Sequence, residues 1–369
     1  MLRTDDLDFD LPADRIATRP AWPRESARLL VTWRDDPSRI EHAAIADLPK
    51  FAKPGDVFIL NRTRVLAARL VGTRAGTGGH VEGLYLHTHP CPPPERMWAV
   101  LLKGKSVRAG IRISLQADSG ADAHITLEPV EKLADEPGAW LARVHGPPAS
   151  EADAAILDRC GRTPLPPYIL KARKAVNDRT PDATDRAWYA TSFDTGSATS
   201  VAAPTAGFHL TESVRGQLAE AGATFADIEL AVGVGTFRPI ETEFVEDHPM
   251  HREWCSMPPA TRSRIAAAKE RSGRVICVGT TAARSVESLA STTDESAWTR
   301  LLITPGYRWR VTDGLLTNFH LPRSTLLAMV AALFEGGIPV VKHLYAAAIA
   351  HDYRFFSYGD AMLILPGRP

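Results

Sequence analysis

Three histidines stand in segments whose residue types suit chemistry on a bound ligand. His209 ends the run "SVAAPTAGFHLTES", where small residues and Gly207 would let a backbone approach a ligand closely; the same composition also fits a plain turn. His320 lies in "LLTNFHLPRST" with Asn318, Arg323, Ser324 and Thr325 at the start of an apolar helical pattern, where polar groups can hold a ligand or simply cap the helix. His251 belongs to "EDHPMHRE". There His248, His251 and Cys255 have H-x-x-H-x-x-x-C spacing but no evident fourth ligand, so no metal is expected, and acid/base or surface roles for His251 stay open. A neutral imidazole near pH 7 can take a proton, which makes all three candidates for a general base.

Two further segments offer binding groups. In "VGTTAARSVES" an apolar strand runs through Gly279 into a helix bearing Thr280, Thr281 and Arg284. A free helix N-terminus there would take an anion, and the competing reading is a satisfied cap with Arg284 in solvent. "YRFFSYGDAMLI" gathers aromatics with Arg354 and Asp360, a composition that serves base stacking or an ordinary core. Gly233-Val234-Gly235 follows a strand, but Arg238 takes the third glycine position and Pro239 follows, so a dinucleotide fingerprint fails. The chain has no P-loop, no G-x-S-x-G elbow and no H-E-x-x-H.

The elements that must position these groups fall into two textures. Between about Leu70 and Gly146, short strand-like runs such as "HVEGLYLHTH", "RMWAVLLKG" and "AHITLEPVE" alternate with turns, the pattern of a small β-barrel. From Ser200 onward helical and strand patterns alternate, implying an α/β layer, and the N-terminal strand "DVFIL" is expected to join it. Leu326, Met329, Val330, Leu333 and Phe334 have helical spacing and predict a core-facing helix that stops at Gly336–Gly337. The expected fold is therefore α/β: a large mixed domain made of residues 1–69 and 155–369, with a small β-barrel domain, residues 70–154, inserted.

At 369 residues with 44% hydrophobic and 23% charged residues, the chain can build a sizeable core. Lys and Arg total 43 and Asp and Glu total 43, so any nucleic-acid contact has to come from a local basic patch. The four cysteines include no C-x-x-C, consistent with a reducing compartment. The opening "MLRTDDLDFDLP" has no signal-peptide pattern and no apolar run is of membrane-spanning length, so a cytoplasmic protein is expected.

Taken in order, "LNRTRVLAARL", "TPLPPYI", "SVAAPTAGFHLT", "VGVGTFRPI", "EDHPMHRE", "VGTTAARSVES", "PGYRWRV", "LLTNFHLPRSTLL" and "YRFFSYGDAMLI" closely resemble the S-adenosylmethionine:tRNA ribosyltransferase-isomerases of queuosine biosynthesis, over about Asp5 to Ile364. The resemblance implies an α/β domain with an inserted barrel, and S-adenosylmethionine as ribosyl donor and co-substrate without a metal. It also implies action on tRNA that carries 7-aminomethyl-7-deazaguanine at the wobble position, with epoxyqueuosine, adenine and methionine as products; separately, a monomer is expected. By the same resemblance His209, His251 and His320 are the catalytic candidates; His209 is favoured as base because it ends the small-residue loop, where a backbone can approach the cofactor closely. Pro204, Thr205, Ala206, Gly207, Thr236, Thr280, Thr281, Arg284, Asn318, Ser324 and Thr325 are expected to hold the cofactor. Asn61, Arg62, Arg64, Lys105, Arg354, Phe356, Tyr358 and Asp360 are expected to meet the tRNA or its base.

The chain departs from that family's pattern at Ala231, where a histidine is usual, at Ala190 and Phe193 in "YATSF", at Arg252 and Trp254 in "MHREW", and around Lys103 to Lys105. A paralogue with another acceptor and a non-catalytic tRNA-binding relative therefore stay open. An ordinary methyltransferase is disfavoured by the missing glycine-rich loop after a strand.

Overall fold

The computed structural model describes residues 1–92, 94–233 and 239–367. The N-terminal part forms β1 (Arg28–Trp33), β2 (Ile40–Ala44), β3 (Val57–Asn61) and β4 (Arg64–Val65). There follow β5 (Arg69–Arg74), β6 (His80–His89), β7 (Met97–Gly104), β8 (Ile113–Gln116), β9 (Asp122–Lys132) and β10 (Ala139–His145). Helix α1 (Asp153–Cys160) leads to β11 (Gly161–Arg162), α2 (Pro167–Ala175), α3 (Asp182–Trp188) and β12 (Ala198–Ser200). The remainder is α4 (Glu212–Glu220), β13 (Thr224–Leu230), β14 (Glu253–Ser256), α5 (Pro259–Glu270), β15 (Val275–Val278), α6 (Thr280–Ser288), β16 (Ser296–Thr299), β17 (Gly314–Asn318), α7 (Thr325–Ala331), α8 (Gly337–Ala350) and β18 (Ala361–Leu365).

Among the described residues, the large sheet has the order β16-β14-β13-β3-β15-β17-β18-β1-β2. Its central strands β13, β3, β15 and β17 are mutually parallel. β3, β15 and β17 are buried along their whole length, as parallel strands covered on both faces must be. Period-2 alternation sends Val57 and Ile59 to one face, against Ile265 of α5, Val286 of α6 and Leu344 of α8. Phe58 and Leu60 go to the other, against Val214 and Leu218 of α4.

The second sheet runs β5-β6-β7-β10-β9-β8 and closes by pairing β8 with β5, with β11 added on the outside of β5. Closure removes the exposed edges that six short strands would otherwise present. Trp98 of β7 is fully buried in this barrel, and its indole N–H donates to Asp153 Oδ1 at 2.8 Å, tying the barrel to the start of α1.

The helix expected to run to Gly336–Gly337 stops short of Leu333 and Phe334. α7 ends at Ala331, and α8 begins at Gly337, whose φ of 57° is a left-handed geometry that glycine adopts without strain. Leu326, Met329, Val330, Leu333 and Phe334 are all buried. Among the described residues, no helix is long and apolar enough to cross a membrane.

Candidate functional site

A pocket opens at the carboxyl ends of β13, β15 and β17, the place where open parallel sheets hold their ligands. β15 ends in Gly279, whose φ of 90° turns the chain directly into α6. α6 has no side-chain cap, and its first intrahelical bond is Ala283 N–H to the Gly279 carbonyl at 3.2 Å. The N–H groups of Thr280, Thr281 and Ala282 therefore have no partner within the helix and form an anion-attracting end in the pocket wall.

β17, paired with β15, brings Thr317 and Asn318 into the pocket lining, and Phe319 and His320 just beyond its end join them. His320 Nε2 is 2.8 Å from the Thr317 hydroxyl, and its backbone N–H donates to the Tyr345 hydroxyl at 2.9 Å. Burial pushes the His320 imidazole down to about 3, so it is neutral at pH 7. Pro204, Thr205 and Ala206 enter from the 3-10 turn Thr205–His209, and the Thr205 hydroxyl donates to Asn318 Oδ1 at 3.0 Å.

An aromatic side closes the pocket. Phe356 holds φ at 72°, an uncommon geometry for a bulky residue, with its N–H bonded to the Phe319 carbonyl at 3.1 Å. The ring of Tyr168 lies 4.6 Å from that of Phe356, and the Tyr168 hydroxyl is 2.6 Å from Ser357 Oγ.

Of the expected residues, the pocket brings together Pro204, Thr205, Ala206, Thr280, Thr281, Asn318, His320 and Phe356. Others are placed elsewhere. His209 lies behind Asn318, whose Nδ2 is 3.3 Å from His209 Nε2; burial, with the Arg24 and Arg354 cations, pushes it down to about 3. Gly207 faces Phe193 and Thr191. Arg284 lies beyond the first turn of α6, buried and ion-paired with the buried Glu253, so it is not a free cation for a carboxylate or phosphate. Ser324 caps α7, accepting from Leu327 N–H at 3.2 Å, and Thr325 is buried beside it. His251 is half-exposed on the loop before β14, outside the pocket lining. Thr236 lies outside the described residues.

The residues expected to meet tRNA divide by burial. Asn61 is buried; its amide accepts from the Leu230 N–H at 3.1 Å, donates to the Leu230 carbonyl at 3.2 Å and reaches the hydroxyl of the pocket residue Thr281 at 3.4 Å. Asp360 is likewise consumed internally, accepting the N–H groups of Arg28 at 3.0 Å and Arg354 at 2.7 Å. Tyr358 is buried among Trp188, Tyr189 and Phe208. Arg62 and Arg354 are half-buried beside Glu229 and Asp360, while Arg64 and Lys105 are exposed.

Sequence reading missed Tyr168, Thr317 and Ser357 as pocket residues, although Tyr168 lies in "TPLPPYI" and the other two adjoin residues that were named. Three of the departures from family pattern converge in space. The Ala231 N–H donates to the Trp254 carbonyl at 2.9 Å, and Arg252 precedes Glu253, the partner of Arg284. Among the described residues no group of three or more His, Cys, Asp or Glu side chains is placed to hold a metal ion.

The model of a family described as "Queuosine biosynthesis protein" matches residues 4–364. A protein of Rubrobacter xylanophilus named S-adenosylmethionine:tRNA ribosyltransferase-isomerase is 44% identical, covering 99% of this chain and 98% of its own. One of the same name from Ruegeria pomeroyi is 43% identical over 99% of this chain and 100% of its own. The crystal structure of an S-adenosylmethionine tRNA ribosyltransferase from Thermotoga maritima is 28% identical with a TM-score of 0.52, covering 98% of this chain and 100% of that one.

Proposed function

The chain belongs to the queuosine biosynthesis protein family, and on that premise we propose that it moves the ribosyl moiety of S-adenosylmethionine onto the 7-aminomethyl-7-deazaguanine wobble base of tRNA. The sugar isomerises to the epoxycyclopentane of epoxyqueuosine as adenine and methionine leave. One observation carries this reading: a single pocket joins an uncapped helix N-terminus, a neutral histidine and an aromatic wall.

The roles follow from the chemistry of each group. The N–H groups at the start of α6, with the Thr280 and Thr281 hydroxyls, suit the methionine carboxylate. Phe356 and Tyr168 suit a planar base. The sulfonium acidifies the carbon beside it, and His320, kept neutral by burial, receives that proton. A base pushed down to about 3 is weak, so the sulfonium does most of the acidifying. Asn318, fixed between Thr205 and His209, presents an oriented amide to the ribose. Arg64 and Lys105, exposed, are available to RNA phosphates.

The deciding experiment mixes the protein, S-adenosylmethionine and an anticodon stem-loop bearing the deazaguanine. Adenine release with a matching gain in RNA mass supports the proposal. RNA binding without adenine release, or methylation with S-adenosylhomocysteine as product, overturns it.

A further inference from the structure

The edge of the large sheet beside the pocket carries an exposed aromatic and cationic surface that the pocket chemistry does not use. β14 and β16 pair antiparallel with Trp254 opposite Trp298 and Glu253 opposite Thr299, so the two tryptophans share one face. Arg252 immediately precedes β14 and Arg300 immediately follows β16, so the two flank the same end of this antiparallel pair. The Arg252 guanidinium lies 5.1 Å from the centre of the Trp298 ring. Trp298 is 60% exposed, and both arginines are exposed. Among the described residues neither arginine is in an ion pair, and the nearby carboxylates Asp294 and Glu295 precede the opposite end of β16. On the inner side Trp254 is hydrogen-bonded to Ala231, and the next residue, Val232, lines the pocket. Two strand spacings, about 10 Å, separate β16 from β13.

We propose that Trp298 and Trp254, flanked by Arg252 and Arg300, form a stacking platform for an unpaired nucleotide of the RNA substrate, one or two positions from the base that enters the pocket. The proposal rests on the reading of tRNA as substrate. An indole face takes any base, and unpaired guanidinium groups beside it meet the backbone phosphates, the combination by which single strands are held. A protein surface would find two unpaired like charges at its centre, whereas RNA supplies the opposite charge.

The test measures binding of a labelled anticodon stem-loop carrying the deazaguanine by fluorescence anisotropy, with S-adenosylmethionine binding followed calorimetrically. Trp298→Ala is expected to weaken RNA binding about tenfold and Trp298→Phe to recover most of the loss, with S-adenosylmethionine affinity unchanged. The Arg252→Gln, Arg300→Gln double variant is expected to weaken binding and flatten its salt dependence by about 1.4 units of slope. If Trp298→Ala binds RNA like the parent while the parent still releases adenine, the platform is wrong and the function stands. A parent protein that binds no RNA sinks both. Unchanged RNA affinity together with loss of a dimer, seen by light scattering, assigns the face to a second copy and overturns the proposal.

Discussion

Asn318 stands between His209 and Thr205: its Nδ2 is 3.3 Å from His209 Nε2, and its Oδ1 accepts the Thr205 hydroxyl at 3.0 Å. With the amide oxygen taken by a donor, the amide nitrogen donates to Nε2, which leaves the proton of the neutral ring on Nδ1. The lone pair that a base would offer is thus already engaged with Asn318, and in the proposed reaction the role left to His209 is to position that side chain. His209→Ala is expected to raise the KM for S-adenosylmethionine while lowering kcat by less than about tenfold, because the loss falls on orientation. A fall of 100-fold or more in kcat at constant KM would return the role of base to His209.

His320, by contrast, lines the pocket, with its Nε2 bonded to the Thr317 hydroxyl at 2.8 Å. His320→Gln keeps a polar side chain of similar reach but cannot accept the proton as imidazole does. Single-turnover adenine release is expected to slow by about 10²–10⁴-fold with S-adenosylmethionine affinity nearly unchanged, the range for loss of a general base. Slowing confined to weaker binding would move the base elsewhere.

What the sequence made legible depended on how local the determinant was. The alternation of strands and helices, the barrel's short runs and the Gly279 turn into α6 are written in neighbouring residues, and the chain folds accordingly. The pocket's hydroxyl and amide groups could also be read, because Thr280, Thr281 and Asn318 sit at strand ends. Arg284, Asn61 and Asp360 misled because their partners are distant in sequence: Glu253 for the first, Leu230 for the second, Arg28 for the third. Nothing local distinguishes an arginine paired 31 residues away from one awaiting an anion. Tyr168 went unread for the same reason, since its pocket neighbours Phe356 and Ser357 lie at the other end of the chain.

Acid should weaken the fold through His209 and His320. Both His209 and His320 are pushed down to about 3 in the folded protein, against an ordinary value of 6.5. Between those values the unfolded chain binds protons that the folded one does not, so stability is present above about pH 6.5 and is lost as pH falls. Each histidine contributes a slope of up to about 1.4 kcal/mol per pH unit across that window. Urea unfolding between pH 7 and 4.5 should show a shallower dependence for His209→Asn than for the parent. Identical slopes would mean that His209 is protonated in the folded state.

Glu253 joins three elements: its Oε1 accepts the Gly233 N–H at 2.9 Å after β13, it belongs to β14, and it pairs with Arg284 of α6. Both side chains are about 5% exposed, so removing either one strands a buried charge. Glu253→Leu or Arg284→Met alone is expected to lose about 3–5 kcal/mol in urea unfolding. The double variant should recover a good part of that, because no unpaired charge remains. Additive losses would show that the pair itself contributes little to the fold.

Gly207 is small for packing's sake. A Cβ there would come within 2.8 Å of Phe193 Cζ and 2.9 Å of Thr191 Cγ2, inside any real contact distance, and Gly207 is absent from the pocket lining. The rigid Phe193 ring, itself buried, has little room to yield. Gly207→Ala should therefore cost about 1–3 kcal/mol of stability from overpacking, read from the urea midpoint, while the affinity of the folded protein for S-adenosylmethionine stays within a few fold. Trimming the obstacle with Phe193→Leu in the Gly207→Ala background should return much of the loss. If instead affinity collapsed while stability held, the glycine would be serving a close approach to the nucleoside, and the packing account of this loop would fail.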